Sequence, residues 1–178
     1  MRIISGTFKG RRFSPPKSFH ARPTTDFAKE NLFNILNNRV DWEEAIALDL
    51  FSGTGNICLE FISRGCPQVT AVEKSPVHAK FIKKVADELK VNNLLLFTMD
   101  TFRFLESNRE KFDLIFVDPP YDLPSLETIP ELIIEKELLK EGGIFVMEHS
   151  KKNDFSQLPY FQEKRVYGSV NFSIFEKE

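Results

Sequence analysis

Apolar and polar positions along this chain fall into two alternating patterns. Ala45 to Phe51, Val69 to Val72, Leu94 to Met99, Phe112 to Val117 and Ile144 to Met147 are short and almost continuously hydrophobic, as strands covered on both faces require. Between them the period lengthens to that of helices: Asn56 to Arg64, stopped by Gly65; Pro76 to Lys90, with Ser75 as N-cap and Pro76 at the first helical position; Phe102 to Glu106; and Ser125 to Leu139, stopped at Gly142-Gly143. Pro130 is a point at which that last helix can kink or split. This alternation predicts an α/β fold on a doubly wound, mostly parallel sheet. Phe161 to Val166 and Val170 to Phe175, separated by Tyr167-Gly168-Ser169, instead predict an antiparallel hairpin at one sheet edge, bringing the strand count to seven.

The first thirty residues read differently. The opening dozen, ending Thr7-Phe8-Lys9-Gly10-Arg11-Arg12-Phe13, predict a small N-terminal β-hairpin extension followed by a loop at Pro15-Pro16. From Asp26 the period becomes helical, with Ala28, Leu32, Ile35 and Leu36 on one face. Thr24, Thr25 or Asp26 can accept the free N–H groups at the helix start, and the helix ends before Trp42. Residues 1 to 30 carry seven basic side chains (Arg2, Lys9, Arg11, Arg12, Lys17, Arg22, Lys29) against Asp26 and Glu30, a balance of +5. The other 148 residues carry 17 basic and 24 acidic side chains, a balance of −7. A basic arm on an acidic body is an electrostatic footprint for a polyanion. Its plainer reading is a solvated, charged terminus.

Composition narrows the class. A chain of 178 residues, 42% hydrophobic with 18 Phe and a net charge of −2, suits one globular domain with a short appendage. No apolar run nears the roughly 20 residues of a membrane-spanning helix, and Met1-Arg2-Ile3-Ile4-Ser5 lacks the apolar stretch of a secretory signal. A cytoplasmic location is the default expectation. Cys58 and Cys66 form no Cys-x-x-Cys pair and only His20, His78 and His149 could join them, so neither a disulfide framework nor a metal site is expected.

Ligands of doubly wound sheets sit outside the carboxyl ends of the strands. The first strand ends Leu48-Asp49-Leu50-Phe51 and runs into Ser52-Gly53-Thr54-Gly55-Asn56. Gly53 and Gly55 let the backbone turn sharply where a Cβ would collide with a ligand. A third fingerprint glycine is absent, Cys58 standing in its place, which disfavours a pyrophosphate-binding dehydrogenase. Glu73 ends the second strand, where a carboxylate can accept both hydroxyl protons of a ribose. Asp100 ends the third and can accept an adenine amino group. Glycine turn, ribose acid and adenine acid without a phosphate clamp describe an S-adenosylmethionine site.

The fourth strand runs straight into Asp118-Pro119-Pro120-Tyr121. Residues before proline are held extended, and neither proline has an N–H, so the turn is stiff and offers carbonyl acceptors without competing donors. Asp118 adds a carboxylate beside the Pro119 carbonyl, and Tyr121 adds a flat ring. An exocyclic aromatic amine is a poor nucleophile because its lone pair is delocalised into the base. Two acceptors on its hydrogens turn that lone pair toward a methyl group, and the carboxylate stabilises the charge that develops on nitrogen. Tyr121 can stack on an extruded base.

With these motifs in place, the chain resembles class I S-adenosylmethionine-dependent methyltransferases, and more closely the RsmD-like family of bacterial 16S ribosomal RNA methyltransferases. The resemblance runs through Arg2-Ile3-Ile4-Ser5-Gly6 with Lys9-Gly10-Arg11-Arg12, Arg22-Pro23-Thr24-Thr25-Asp26, Leu32-Phe33-Asn34-Ile35-Leu36, Asp49-Leu50-Phe51-Ser52-Gly53-Thr54-Gly55, Glu73-Lys74 and Asp118-Pro119-Pro120-Tyr121. It implies a Rossmann-like fold and methylation of the N2 amino group of one guanine in small-subunit ribosomal RNA. In that reading Asp118, Pro119, Pro120 and Tyr121 are catalytic. Asp49, Phe51, Gly53, Gly55, Glu73, Lys74, Asp100 and Thr101 hold the cofactor. Arg2, Lys9, Arg11, Arg12 and Arg22 meet RNA. Residues 1–24 form a basic arm, 25–178 the methyltransferase domain, and no obligate protein partner is expected. Phe27 stands where the family usually has Arg, and Ser52, Asn56 and Cys58 replace small residues. Alternative readings are an amino-methyltransferase acting on DNA adenine, one acting on a protein glutamine, and a non-catalytic RNA-binding module. The first leaves little chain for a target-recognition domain, the second more often shows Asn at the place of Asp118, and the third does not require Glu73 and Asp100.

Overall fold

The computed structural model describes residues 1–16, 19 and 25–178. Its strands are β1 (Ile46–Leu50), β2 (Gln68–Val72), β3 (Leu94–Phe97), β4 (Phe112–Val117), β5 (Leu139–His149), β6 (Phe161–Tyr167) and β7 (Val170–Glu176). They form one sheet in the order β3-β2-β1-β4-β5-β7-β6. The first five run parallel, and β7 lies antiparallel between β5 and β6. The described helices are α1 (Asp26–Leu36), α2 (Cys58–Arg64), α3 (Pro76–Glu88), α4 (Thr101–Ser107) and α5 (Thr128–Glu135). The chain winds outward from β1 to β3, returns to β4 beside β1, and winds the other way. The carboxyl ends of β1 and β4 therefore form the switch point at which such sheets bind ligands.

Alternation along the central strands divides the core between two faces. Ala47, Leu114, Phe116, Val146 and Phe172 pack with α1, α2 and α3 through residues such as Leu32, Phe33, Phe61 and Ile82. Leu48, Leu50, Ile115, Val117 and Met147 pack with α4 and α5 through Phe104, Leu105, Ile129 and Ile133. Both faces being dry explains why the strands read as unbroken apolar runs. At the β3 edge Leu95 and Phe97 are exposed.

One stretch corrects the sequence expectation. The helix predicted over Ser125 to Leu139 is confined to Thr128–Glu135, and Gly142-Gly143 lies inside β5. Glu137, at φ +50, turns the chain out of α5, and the Leu138 carbonyl accepts the Phe112 N–H at 2.8 Å. Leu139 then pairs with Phe112 while Ile144 pairs with Leu114, so β5 bulges between them. Gly142, at φ +72, sits in that bulge, and a Cβ on Gly143 would lie 2.7 Å from the Lys140 carbonyl oxygen. The glycines thus permit a bulge rather than stop a helix. Pro130 falls at the third position of α5, where its missing N–H has no intrahelical partner to lose.

The N-terminal hairpin is a single antiparallel bridge, Arg2 to Arg12. It is fastened to the sheet by a buried carboxylate: Glu60 of α2 accepts N–H groups from Ile4 at 2.8 Å and Ser5 at 3.0 Å. Lys29 of α1, fully buried, places its Nζ 2.9 Å from the same carboxylate and also donates to Asn56 Oδ1 and the Arg2 carbonyl. Burial drives the Lys29 pKa down, and the Glu60 charge opposes that shift.

Candidate active site

The turn after β1 uses three residues in left-handed backbone conformations: Phe51 at φ +61, Gly53 at +54 and Gly55 at +80. For Phe51 this costs on the order of 1–3 kcal/mol, strain of the kind that gathers at ligand sites. Gly55 N–H closes the turn onto the Ser52 carbonyl at 2.7 Å. A Cβ on Gly55 would lie 3.1 Å from Ile82 Cγ1 and 3.3 Å from Leu59 Cδ1, so this glycine seats the turn against α2 and α3.

Acids at the strand ends hold the turn in place. Glu73, just past β2, accepts the Gly53 N–H on Oε2 and the Ser75 N–H on Oε1, both at 2.7 Å. It thereby ties the β1 turn to the start of α3, with His78 Nδ1 3.6 Å away. Asp49, buried in β1, accepts the Cys58 N–H at 3.0 Å and caps α2, whose own N-cap residue Ile57 offers no side chain. Burial pushes the Asp49 carboxyl up to about 7 and the Cys58 thiol well above its usual range, which leaves that thiol inert. Asp100 caps α4 by accepting the Phe102 and Arg103 N–H groups, while its Oδ2 lies 3.5 Å from Lys74 Nζ.

Past β4 the chain is shaped by proline. Asp118 N–H reaches the Leu50 carbonyl at 3.3 Å, extending the β1–β4 ladder by one bond, and the Leu123 N–H closes the turn onto the Pro120 carbonyl at 3.0 Å. Asp118 is half-buried and Pro119 buried. Tyr121 leaves 40% of its surface exposed, and its hydroxyl donates to Glu148 Oε1 at 2.8 Å.

These elements enclose a cleft of about 760 Å³, a volume that suits a cofactor-sized ligand. It brings together Asp49, Phe51, Gly53, Glu73, Lys74, Asp100, Thr101 and the whole run Asp118 to Tyr121. Gly55 lies behind the lining, for the packing reason above. Met1, Pro15, Phe19 and Thr25 complete one wall, so the N-terminal segment borders the site. Lys9, Arg11 and Arg12 are exposed and are not among the cleft-lining residues. Arg2 lies 3.0 Å from Asp26, and Arg22 is outside the described residues.

Sequence reasoning missed Glu148, which lines the cleft while only 4% exposed. The available signal was the one that singled out Glu73 and Asp100, an acid directly after an apolar central strand. It also missed Asn56, a cleft residue whose side-chain oxygen accepts from Lys29 at 2.8 Å.

A seven-stranded sheet of this order, with a glycine turn and acids over one half of the cleft and Asp-Pro-Pro-Tyr over the other, has the Rossmann-like methyltransferase fold. Residues 1–176 match the family described as Conserved hypothetical protein 95. The chain belongs to that family, the RsmD-like methyltransferases. It is similar to the Ribosomal RNA small subunit methyltransferase D of Escherichia coli K12, 30% identical over 182 residues and covering 100% of this chain and 90% of the relative. The protein of that name from Haemophilus influenzae is 32% identical over 155 residues, 85% of this chain and 79% of the relative. Among solved structures, a hypothetical protein of Thermus thermophilus superposes with a TM-score of 0.87 at 28% identity, covering 99% of both chains. The Thermus thermophilus 16S rRNA N2 G1207 methyltransferase, in complex with AdoMet and guanosine, shares the fold with a TM-score of 0.70 at 19% identity, over 89% of this chain and 45% of that one.

Proposed function

We propose that this protein, a ribosomal RNA methyltransferase, transfers a methyl group from S-adenosylmethionine to the exocyclic N2 amine of a guanine in small-subunit ribosomal RNA. The observation that carries the reading is that one cleft holds both the glycine–acid set of the β1–β3 ends and the Asp118–Tyr121 turn. The donor set fits the cofactor. Each oxygen of Glu73 spends one lone pair on a backbone N–H and keeps another for a ribose hydroxyl. Asp100 keeps Oδ2 for an adenine amine, and the glycine turn offers no phosphate clamp. Lys74 Nζ, beside that Oδ2, remains largely exposed.

When bound, S-adenosylmethionine supplies an electrophilic methyl group on a positively charged sulfur. Asp118 and the Pro119 carbonyl accept the two amine hydrogens and hold the nitrogen lone pair toward that carbon. As the N–C bond forms and the C–S bond breaks, positive charge grows on nitrogen, and the Asp118 carboxylate stabilises it. The surplus proton then passes from nitrogen to that carboxylate. Tyr121 stacks on the base once it leaves its helix. The arm of residues 1–24 supplies phosphate contacts through Arg2, Lys9, Arg11, Arg12 and Arg22.

Incubation with methyl-labelled cofactor tests the reading. Label should enter ribosomal RNA or small-subunit particles and be recovered as N2-methylguanine, with none in duplex DNA or a glutamine-containing release factor. Label recovered in adenine or in protein would replace this reading with one of its alternatives.

A further inference from the structure

Accepting that reading of the cleft, we infer that Glu148 identifies the base: its carboxylate accepts the N1–H of guanine, the donor beside the amine to be methylated. The register places it there. β4 and β5 run parallel with Val117 opposite Met147, so Asp118 and Glu148 follow side by side at the ends of neighbouring strands, roughly 4.8 Å apart in backbone. Val117 and Met147 both point into the α4–α5 face of the core. The strand period of two therefore turns Asp118 and Glu148 together toward the other face, where both line the cleft. Glu148 is aimed further by Tyr121, whose hydroxyl binds Oε1 at 2.8 Å. A carboxylate has about four lone-pair sites, more than a single hydroxyl bond fills.

The chemistry selects one base. In guanine the exocyclic amine is flanked by N1–H, a donor. In adenine and cytosine the ring atom beside the amine is an acceptor, and in a glutamine side chain the neighbour is a carbonyl oxygen. A carboxylate at that place bonds guanine and sets lone pair against lone pair for the other three. Sites built to hydrogen-bond a substrate donor discriminate strongly against analogues that lack it. Asp118 holds the amine, which all four share; Glu148 supplies the distinction that the Asp-Pro-Pro-Tyr turn lacks.

The test replaces the target guanine, in RNA or reconstituted particles, by 2-aminopurine, which keeps the 2-amino group and has a bare acceptor at N1. The parent enzyme should methylate guanine with a kcat/KM about 10²-fold or more above that for 2-aminopurine. Glu148→Gln can present an amide N–H to the bare N1, so the preference should collapse to within a few-fold, with cofactor affinity by calorimetry unchanged. Tyr121→Phe, which retains the carboxylate, should keep the preference while raising KM. A Glu148→Gln enzyme with the parental preference, whatever its absolute rate, overturns the inference. So does a parent that methylates both bases equally, an arm that needs no variant to fold. A parent that places no methyl group on guanine N2 overturns the proposed function instead, before Glu148 is reached.

Discussion

The two halves of the cleft are built by opposite means. Over β1 to β3, every acid binds backbone N–H groups of the loops it serves: Glu73 those of Gly53 and Ser75, Asp49 that of Cys58, Asp100 those of Phe102 and Arg103. Over β4 and β5, two prolines fix the backbone and the side chains meet each other, as Tyr121 meets Glu148. Acids in the first half are scaffold as well as proposed cofactor ligands, whereas in the second half the scaffold and the proposed chemistry fall to different residues. Substitutions should therefore separate activity from stability on one side only.

The sharpest test is Asp118→Asn. It preserves shape, removes the charge and presents a donor where the amine also donates. Turnover should fall by roughly 10²-fold or more, with melting temperature and cofactor affinity close to the parent's. A fully active variant, assayed on a substrate known to accept methyl groups, would remove the carboxylate from the chemistry. Glu73→Ala probes the other half, where one change should move two quantities. Two part-buried N–H groups lose their acceptor, so both cofactor affinity by calorimetry and unfolding free energy in urea should drop by about 1–3 kcal/mol. Loss of affinity at unchanged stability would break the contrast between the halves.

Asp49 gives that contrast a pH signature. Its folded-state pKa, about 7, lies above the ordinary 3.8, so the native state holds the proton more tightly. The stability it contributes is fully present below pH 3.8 and is lost as pH rises through about 7. Asp49→Asn should flatten this part of the stability profile, read as urea midpoints across that range. Identical slopes in parent and variant would mean that Asp49 is not the group titrating. The smallest effect is expected from the arm. Neutralising Lys9, Arg11 and Arg12 together should flatten the dependence of log affinity for RNA on log salt by up to about 0.7 per lost single-strand contact. An unaltered slope would leave the arm merely solvated.

The same contrast governs what the sequence disclosed. Asp118-Pro119-Pro120-Tyr121 is legible because its backbone shape and its proposed role reside in four consecutive residues. Glu73 and Asp100 were visible as acids after apolar runs, but their capping and turn-fastening bonds were not, since these depend on which loops the sheet order brings together. Glu148 carries the same signal, but no motif flanks it to mark it out. Gly142-Gly143 misled because glycine marks a helix end and a strand bulge alike. Lys29 read as one more charge of the basic arm, although it lies fully buried against Glu60. A short-range pattern contains no trace of a partner 31 positions away.

That partnership sets an order of events during synthesis. Ile4 and Ser5 leave the ribosome early, yet the acceptor of their N–H groups is Glu60, 56 and 55 residues later. Until α2 has emerged, Ile3 has no core to enter and the basic arm has nothing to dock on. The first residues made thus cannot settle before α2 is made, a consequence of contacts between distant parts of a chain. Pulse-labelled hydrogen exchange on the refolding protein should find the Ile4 and Ser5 amides protected no sooner than those of α2. Protection of those two amides in a fragment ending before Glu60 would show that the arm folds on its own.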